Sequence, residues 1–150
     1  MSQKSVLTEK SLGILLHPTS LPGESVCGTF GESAKSWIEK LSKHDITFWQ
    51  FLPLTPTDET GSPYSAPSSF ALNPWFLDLK ELIKNNYIYK SDEEDLISIK
   101  NEKNYFNFNS ADKSSQKSAE YLLNSWEDQS EERKIDFMEW TRKNPWVEDY

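Results

Sequence analysis

Apolar positions along this chain fall into two short runs and several helical stripes, divided by polar loops. The first run, Gly13-Ile14-Leu15-Leu16, leads into His17-Pro18-Thr19-Ser20-Leu21-Pro22. The second, Phe48-Trp49-Gln50-Phe51-Leu52-Pro53-Leu54, leads into Thr55-Pro56-Thr57 and then Ser62-Pro63-Tyr64. Short apolar runs bounded by Pro and Ser clusters read as strands. Between them Ala34, Trp37, Ile38 and Leu41 recur at i, i+3, i+4 and i+7, which predicts a helix from about Glu32 to Lys43. Residues 46–54 do not alternate, the pattern of a parallel strand covered on both faces. A strand–helix–strand unit sends the loops after both strands to one edge of the sheet, where α/β folds bind ligands.

The loop over 55–74 holds Pro56, Pro63, Pro67 and Pro74, half of the chain's eight prolines. Tyr64, Phe70 and Trp75 give it apolar anchors, so an ordered, functional loop is expected. Asp78-Leu79-Lys80-Glu81 reads as a helix start, with Asp78 capping, Glu81 reaching back, and Leu79, Leu82 and Ile83 as the buried face. Ser91-Asp92-Glu93-Glu94 repeats the capping pattern before Leu96, Ile97 and Ile99. Composition over 101–115 turns to Asn, Ser and Lys, a linker signal. Two stripes follow, Ala119, Leu122, Leu123 and Trp126, then Ile135, Met138 and Trp140, both expected to be core. Asn144-Pro145 breaks the helix, and Trp146 opens a new element. The expected division is a loose lead-in over 1–12, an α/β unit over 13–90 and a mainly helical part over 91–150. No internal repeat is present.

Charge narrows the partners. A formal net charge of −8 without any cluster of Lys or Arg argues against nucleic acid and anionic membrane. No apolar stretch approaches the roughly 20 residues of a membrane helix, and Met1 to Lys10 lacks a signal-peptide core, so a cytoplasmic location is expected. A single cysteine, Cys27, gives no disulfide framework. Cys27, His17 and His44 lack metal-ligand spacing, and neither metal nor cofactor is expected. Gly28-Thr29-Phe30-Gly31 before a helix lacks the first glycine of a phosphate-binding turn and lies too far from the strand.

Sugar sites combine aromatic faces with directional donors and acceptors. Ser62, Tyr64, Ser65, Ser68, Ser69 and Asn73 offer such groups in one loop, and Pro63 stiffens the backbone that holds Tyr64. Ser, Pro and Asn also make up ordinary surface loops. Four ordered motifs separate the alternatives: Leu16-His17-Pro18-Thr19-Ser20-Leu21-Pro22-Gly23, Trp49-Gln50-Phe51-Leu52-Pro53-Leu54 with Pro56, Gly61-Ser62-Pro63-Tyr64, and Ser69-Phe70-Ala71 with Asn73-Pro74. Together they resemble the N-terminal motifs of the 4-α-glucanotransferases, or amylomaltases, across roughly 13–83. Trp146-Val147-Glu148-Asp149-Tyr150 is similar to a further segment of that family.

The resemblance implies the first two strand–helix units of a (β/α)₈ barrel, followed by a mainly helical segment. It also implies transfer of α-1,4-glucan segments between maltooligosaccharides with retention of configuration. Tyr64 would lie against the sugar, with Ser62, Pro63, Ser65 and Asn73 as further substrate-binding residues, and His17 would organise its loop. Where many members carry Gly-Ile-Gly-Asp-Leu-Gly, this chain has Val26-Cys27-Gly28-Thr29-Phe30-Gly31; where an aromatic often precedes Ser-Pro-Tyr, it has Asp58-Glu59-Thr60-Gly61. Retaining transfer needs two carboxylates about 5–5.5 Å apart. The acids here sit in exposed runs or, as Asp58 and Glu59, side by side in a loop, so the resemblance places the catalytic acids outside this chain. A (β/α)₈ barrel takes about 250 residues. The expectation is therefore an N-terminal portion, truncated at Tyr150, that needs the remainder of the enzyme. The alternatives are a non-catalytic glucan-binding module and an inactive remnant.

Overall fold

A computed structural model describes residues 10–23, 26–97 and 107–149. Strands β1 (Gly13–Leu15) and β2 (Phe48–Gln50) pair in parallel, with Gly13 opposite Phe48 and Leu15 opposite Gln50. Helix α1 (Glu32–Lys43) forms the crossover, with the bounds its periodicity predicts. Ala34 and Leu41 are buried on its inner face, while Ile38 is exposed. Gly31 precedes α1 because the chain comes too close to Asp78 for any side chain: a Cβ there would lie 1.9 Å from the Asp78 Oδ2.

The second strand is shorter than the apolar run over 46–54 suggested. Pairing stops at Gln50 because β1 ends first and its chain turns at Pro18–Ser20, and Pro53 has no N–H to donate. Coverage on both faces is likewise not met. Among the described residues the sheet has two strands, and Phe51 is exposed. The core lies instead under the loops, where Leu21, Val26, Cys27, Ala71 and Phe76 are buried; the exposed Phe30 ring lies against it, with its centroid 5.4 Å from Phe76, 6.2 Å from Phe51 and 6.3 Å from Trp49.

Helix α2 (Leu79–Lys84) is capped by Asp78, whose carboxylate accepts from the Glu81 N–H at 3.0 Å. Glu81 does not reach back as expected; its Oε1 pairs with Lys35 Nζ at 2.8 Å, a stronger, oppositely charged partner. Leu79, Leu82 and Ile83 are only half-buried. The capping pattern at Ser91 also fails. A tight turn at Lys90–Asp92 precedes α3 (Glu93–Ile97), and the Ser91 hydroxyl bonds Asp92 instead. Ile99 lies outside the described residues.

Helix α4 (Phe108–Asn124) occupies much of the stretch that composition marked as linker, begun by Asn107, whose side chain accepts from the Ser110 N–H at 3.0 Å. Residues 101–106 lie outside the description. Its buried positions are Ala111 and Ser118, followed past the helix end by Ser125; of the expected stripe, Ala119 and Leu123 are exposed. Small residues let the helix approach the chain closely, and the Ser125 hydroxyl satisfies the Tyr87 carbonyl. Helix α5 (Glu131–Lys143) starts at Ser130 and ends before Pro145 as expected, with a short turn at Pro145–Asp149. Ile135, Met138 and Trp140 are exposed, not core.

Candidate functional site

Both strand-following loops reach the same rim, as the parallel arrangement requires. After β1 the chain tightens at Pro18–Ser20, where the Leu21 N–H donates to the Pro18 carbonyl at 2.9 Å. His17 Nδ1 and the Thr19 hydroxyl are hydrogen-bonded at 2.9 Å, which ties the imidazole to its own loop. Its Nε2 is buried without a hydrogen-bond partner among the described residues. Burial lowers the His17 pKa, and the neighbouring Pro53 carbonyl offsets part of that effect.

After β2 the loop is held at its base by the Asn73 N–H, which donates to the Leu54 carbonyl at 2.8 Å. Its tip is a self-bonded hairpin. The Gly61 N–H donates to the Asp58 carbonyl at 2.9 Å, and the Asp58 N–H donates to the Ser65 carbonyl at 3.1 Å. The Asp58 carboxylate accepts from both the N–H and the hydroxyl of Thr60, and the hydroxyl bond holds its pKa below the usual carboxylate range. This acid is occupied in building a turn. Gly61 sits at φ +72°, which a side chain would resist.

Between the loops lies a cavity of about 200 Å³, lined by His17 and Thr19 from one side and by Thr55, Thr57, Pro63 and Asn73 from the other. Trp75 and Phe108 supply aromatic walls; their rings are 5.6 Å apart, and the Trp75 indole N–H donates to Asp112 at 2.8 Å. The lining is mainly apolar, with Leu52, Pro53 and Phe76 completing it, and Thr19, Thr55 and Thr57 are its hydroxyl-bearing residues. Among the described residues no carboxylate lines the cavity.

Of the sequence-predicted residues, Pro63 and Asn73 line the cavity, whereas Ser62, Tyr64 and Ser65 belong to the outer hairpin. Tyr64 presents its ring to solvent at 75% exposure, and its N–H donates to the Ser62 hydroxyl at 3.3 Å. Asn73 is buried, with its Oδ1 taken by the Trp75 N–H at 3.0 Å. Thr19, Thr57 and Phe108 were missed. Nothing in the local sequence marks Phe108, since only the fold brings the start of α4 onto the loop. Cys27 is buried, donates to the Trp75 carbonyl, and its pKa is pushed up to about 12 by burial, so it is no nucleophile near neutral pH. Among the described residues no group of His, Cys, Asp and Glu could hold a metal ion, and no helix is long and apolar enough to cross a membrane.

Comparison with known proteins identifies a family for the chain. The family model described as 4-alpha-glucanotransferase matches residues 16–150. The 4-alpha-glucanotransferase of Thermus thermophilus is 41% identical over 83 residues, 55% of this chain and 17% of that protein. That of Clostridium butyricum is 44% identical over 80 residues, 53% of this chain and 16% of its own length. The structure of the amylomaltase from Streptococcus agalactiae in complex with acarbose superposes with a TM-score of 0.82 and 28% identity, covering 93% of this chain and 28% of that one. The chain thus matches only about a sixth of the length of these two relatives.

Proposed function

We infer, since the chain belongs to the 4-alpha-glucanotransferase family, that it supplies the N-terminal wall of a site transferring α-1,4-glucan segments between maltooligosaccharides. The observation that carries this is the meeting of the two strand-following loops on one rim, with the Ser62-Pro63-Tyr64 hairpin beside a cavity walled by hydroxyls and aromatic rings. Acarbose, the ligand of the Streptococcus agalactiae amylomaltase, is a saccharide analogue of the class such a rim would receive. Tyr64 offers an exposed ring on which a pyranose can stack, while Ser62, Pro63 and Ser65 hold the hairpin that presents it. Asn73 acts from beneath, by fixing the loop base.

The chemistry itself needs a carboxylate nucleophile and an acid/base facing each other across the bond. Asp58 is committed to its own turn, and among the described residues no acid lines the cavity; in this reading both acids come from other parts of the enzyme. Retention of configuration, the (β/α)₈ barrel and a cytoplasmic location belong to the same proposal. The test is a chimera: this chain replaces the superposed segment of the Streptococcus agalactiae amylomaltase, and glucose release from maltotriose is measured. Tyr64→Ala is expected to lower kcat/KM about 10- to 100-fold, some 1.4–2.7 kcal/mol of lost transition-state stabilisation, with Tm unchanged. Equal kcat/KM in variant and parent would remove Tyr64 from the site.

A further inference from the structure

Helix α5 carries two faces of different character. Arg133, Phe137 and Trp140, at i, i+4 and i+7, form the face turned to the rest of the chain. The Arg133 guanidinium donates to the Asn85 carbonyl at 2.7 Å and lies 4.2 Å from the centre of the Tyr87 ring. The Phe137 ring meets Trp126 at 5.1 Å, and the Trp140 ring meets Trp146 at 6.1 Å. About half a turn away run Glu131, Ile135, Met138 and Arg142, at i, i+4, i+7 and i+11, the spacing of a single stripe. All four are exposed, Ile135 at 49% and Met138 at 60%. A helix face turned to water is ordinarily charged or polar. This one sets two large apolar side chains at its centre, an acid at its N-terminal end and a base at its C-terminal end. The acid's own pairing, Glu131 to Lys134 at 3.4 Å, is exposed and therefore weak.

We propose that this stripe is an interface between two copies of the chain, with their α5 helices packed side by side and antiparallel. The occupant follows from the order of the four residues. A two-fold axis midway between Ile135 and Met138 sets Ile135 of each copy against Met138 of the other. Glu131 and Arg142 stand at equal distances on either side of that axis, so the same operation sets Glu131 of each copy against Arg142 of the other. The stripe is its own complement when reversed, as a two-fold interface demands. Parallel pairing would set acid against acid and base against base. A purely apolar partner would leave both end charges unanswered, and a partner of one charge sign would answer only one of them. The seam is short, about 16 Å from Glu131 to Arg142 at 1.5 Å per residue. With two apolar residues per copy it supports a weak dimer, with Kd about 10–100 µM. Neither Tyr64 nor glucan transfer enters, so this interface and the proposed site can fail separately.

Sedimentation velocity of the 150-residue chain from about 5 to 500 µM reads the equilibrium, and a reversible monomer–dimer transition within that range is expected. Glu131→Arg and Arg142→Glu each place like charges at both ends of the seam, and each is expected to raise Kd about 10-fold or more. The double variant exchanges the two charges and is expected to return to within about three-fold of the parent, a recovery that parallel pairing would not give. Ile135→Asp puts a charge at the centre of the seam and is expected to abolish the dimer. Far-UV and near-UV circular dichroism matching the parent's shows that each variant keeps its fold. The proposal is overturned if the chain stays monomeric across the range or forms only larger assemblies. It is equally overturned if folded single variants dimerise like the parent, or if the folded double variant does not recover.

Discussion

Gly61→Ala tests how the outer hairpin is joined to the helical part of the molecule. Gly61 occupies φ +72°, and an added Cβ would lie 2.1 Å from the Phe108 Cζ and 2.2 Å from its Cε1. Two costs follow. A non-glycine residue in the left-handed region loses about 1–2 kcal/mol, and forcing an extra carbon into an occupied contact costs about 1–3 kcal/mol more. The sum, about 2–5 kcal/mol, is a large share of the 5–15 kcal/mol that ordinarily separates folded from unfolded domains. Phe108 is 41% exposed and meets Gly61 with its ring tip, so a turn of the ring can relieve part of the second cost, against the restraint of Trp75, itself held by Asp112; the lower half of the range is expected.

Urea unfolding followed by tryptophan fluorescence measures the loss, since Trp75 reports on this contact. The discriminating measurement is the double-mutant cycle with Phe108→Ala. With the ring removed, Gly61→Ala should cost only the backbone part, leaving a coupling of about 1–3 kcal/mol between the two positions. Strict additivity would mean that the ring does not restrain the hairpin, and the proposed role of α4 as a wall of the cavity would lose its physical basis.

Two further outcomes probe the loops beneath the site. Asp78→Ala removes both the α2 cap and the acceptor for the buried Thr29 hydroxyl at 2.6 Å, an expected loss of about 2–4 kcal/mol in urea; a loss below 1 kcal/mol would show the two bonds to be dispensable. His17 has its pKa lowered in the folded state, so the neutral ring is favoured there and its contribution is complete above the unfolded value of about 6.5. As pH falls below that value the unfolded chain takes up the proton first, and Tm should drop more steeply in the parent than in His17→Gln; parallel Tm profiles would refute the assignment.

What the amino-acid pattern revealed, and what it hid, divides along one physical line. Local rules placed α1 to the residue, found the break before Pro145 and identified Asp78 as a cap, because periodicity, missing N–H groups and short-range hydrogen bonds act within a few positions. The convergence of the His17 and Tyr64 loops was also legible, since it follows from parallel strands joined by a helix. Non-local choices were not. Glu81 bonds Lys35, 46 positions earlier, instead of its own helix start; Phe108 becomes a cavity wall because α4 packs on the turn at Pro74–Phe76.

The apolar stripes gave the most misleading signal, and their failure says something about the molecule. Leu123, Ile135, Met138 and Trp140 recur as core residues should, yet they face water, as do Leu12 and Leu15 on the sheet. Periodicity encodes that a face is to be covered; it does not say by what. Here α4 buries Ala111 and Ser118, and Ser125 just beyond its end, while its larger Leu123 is exposed. Side chains patterned for burial but left exposed mark a surface that a partner can cover, so the over-predicted core is itself a reading of where this molecule offers apolar contact.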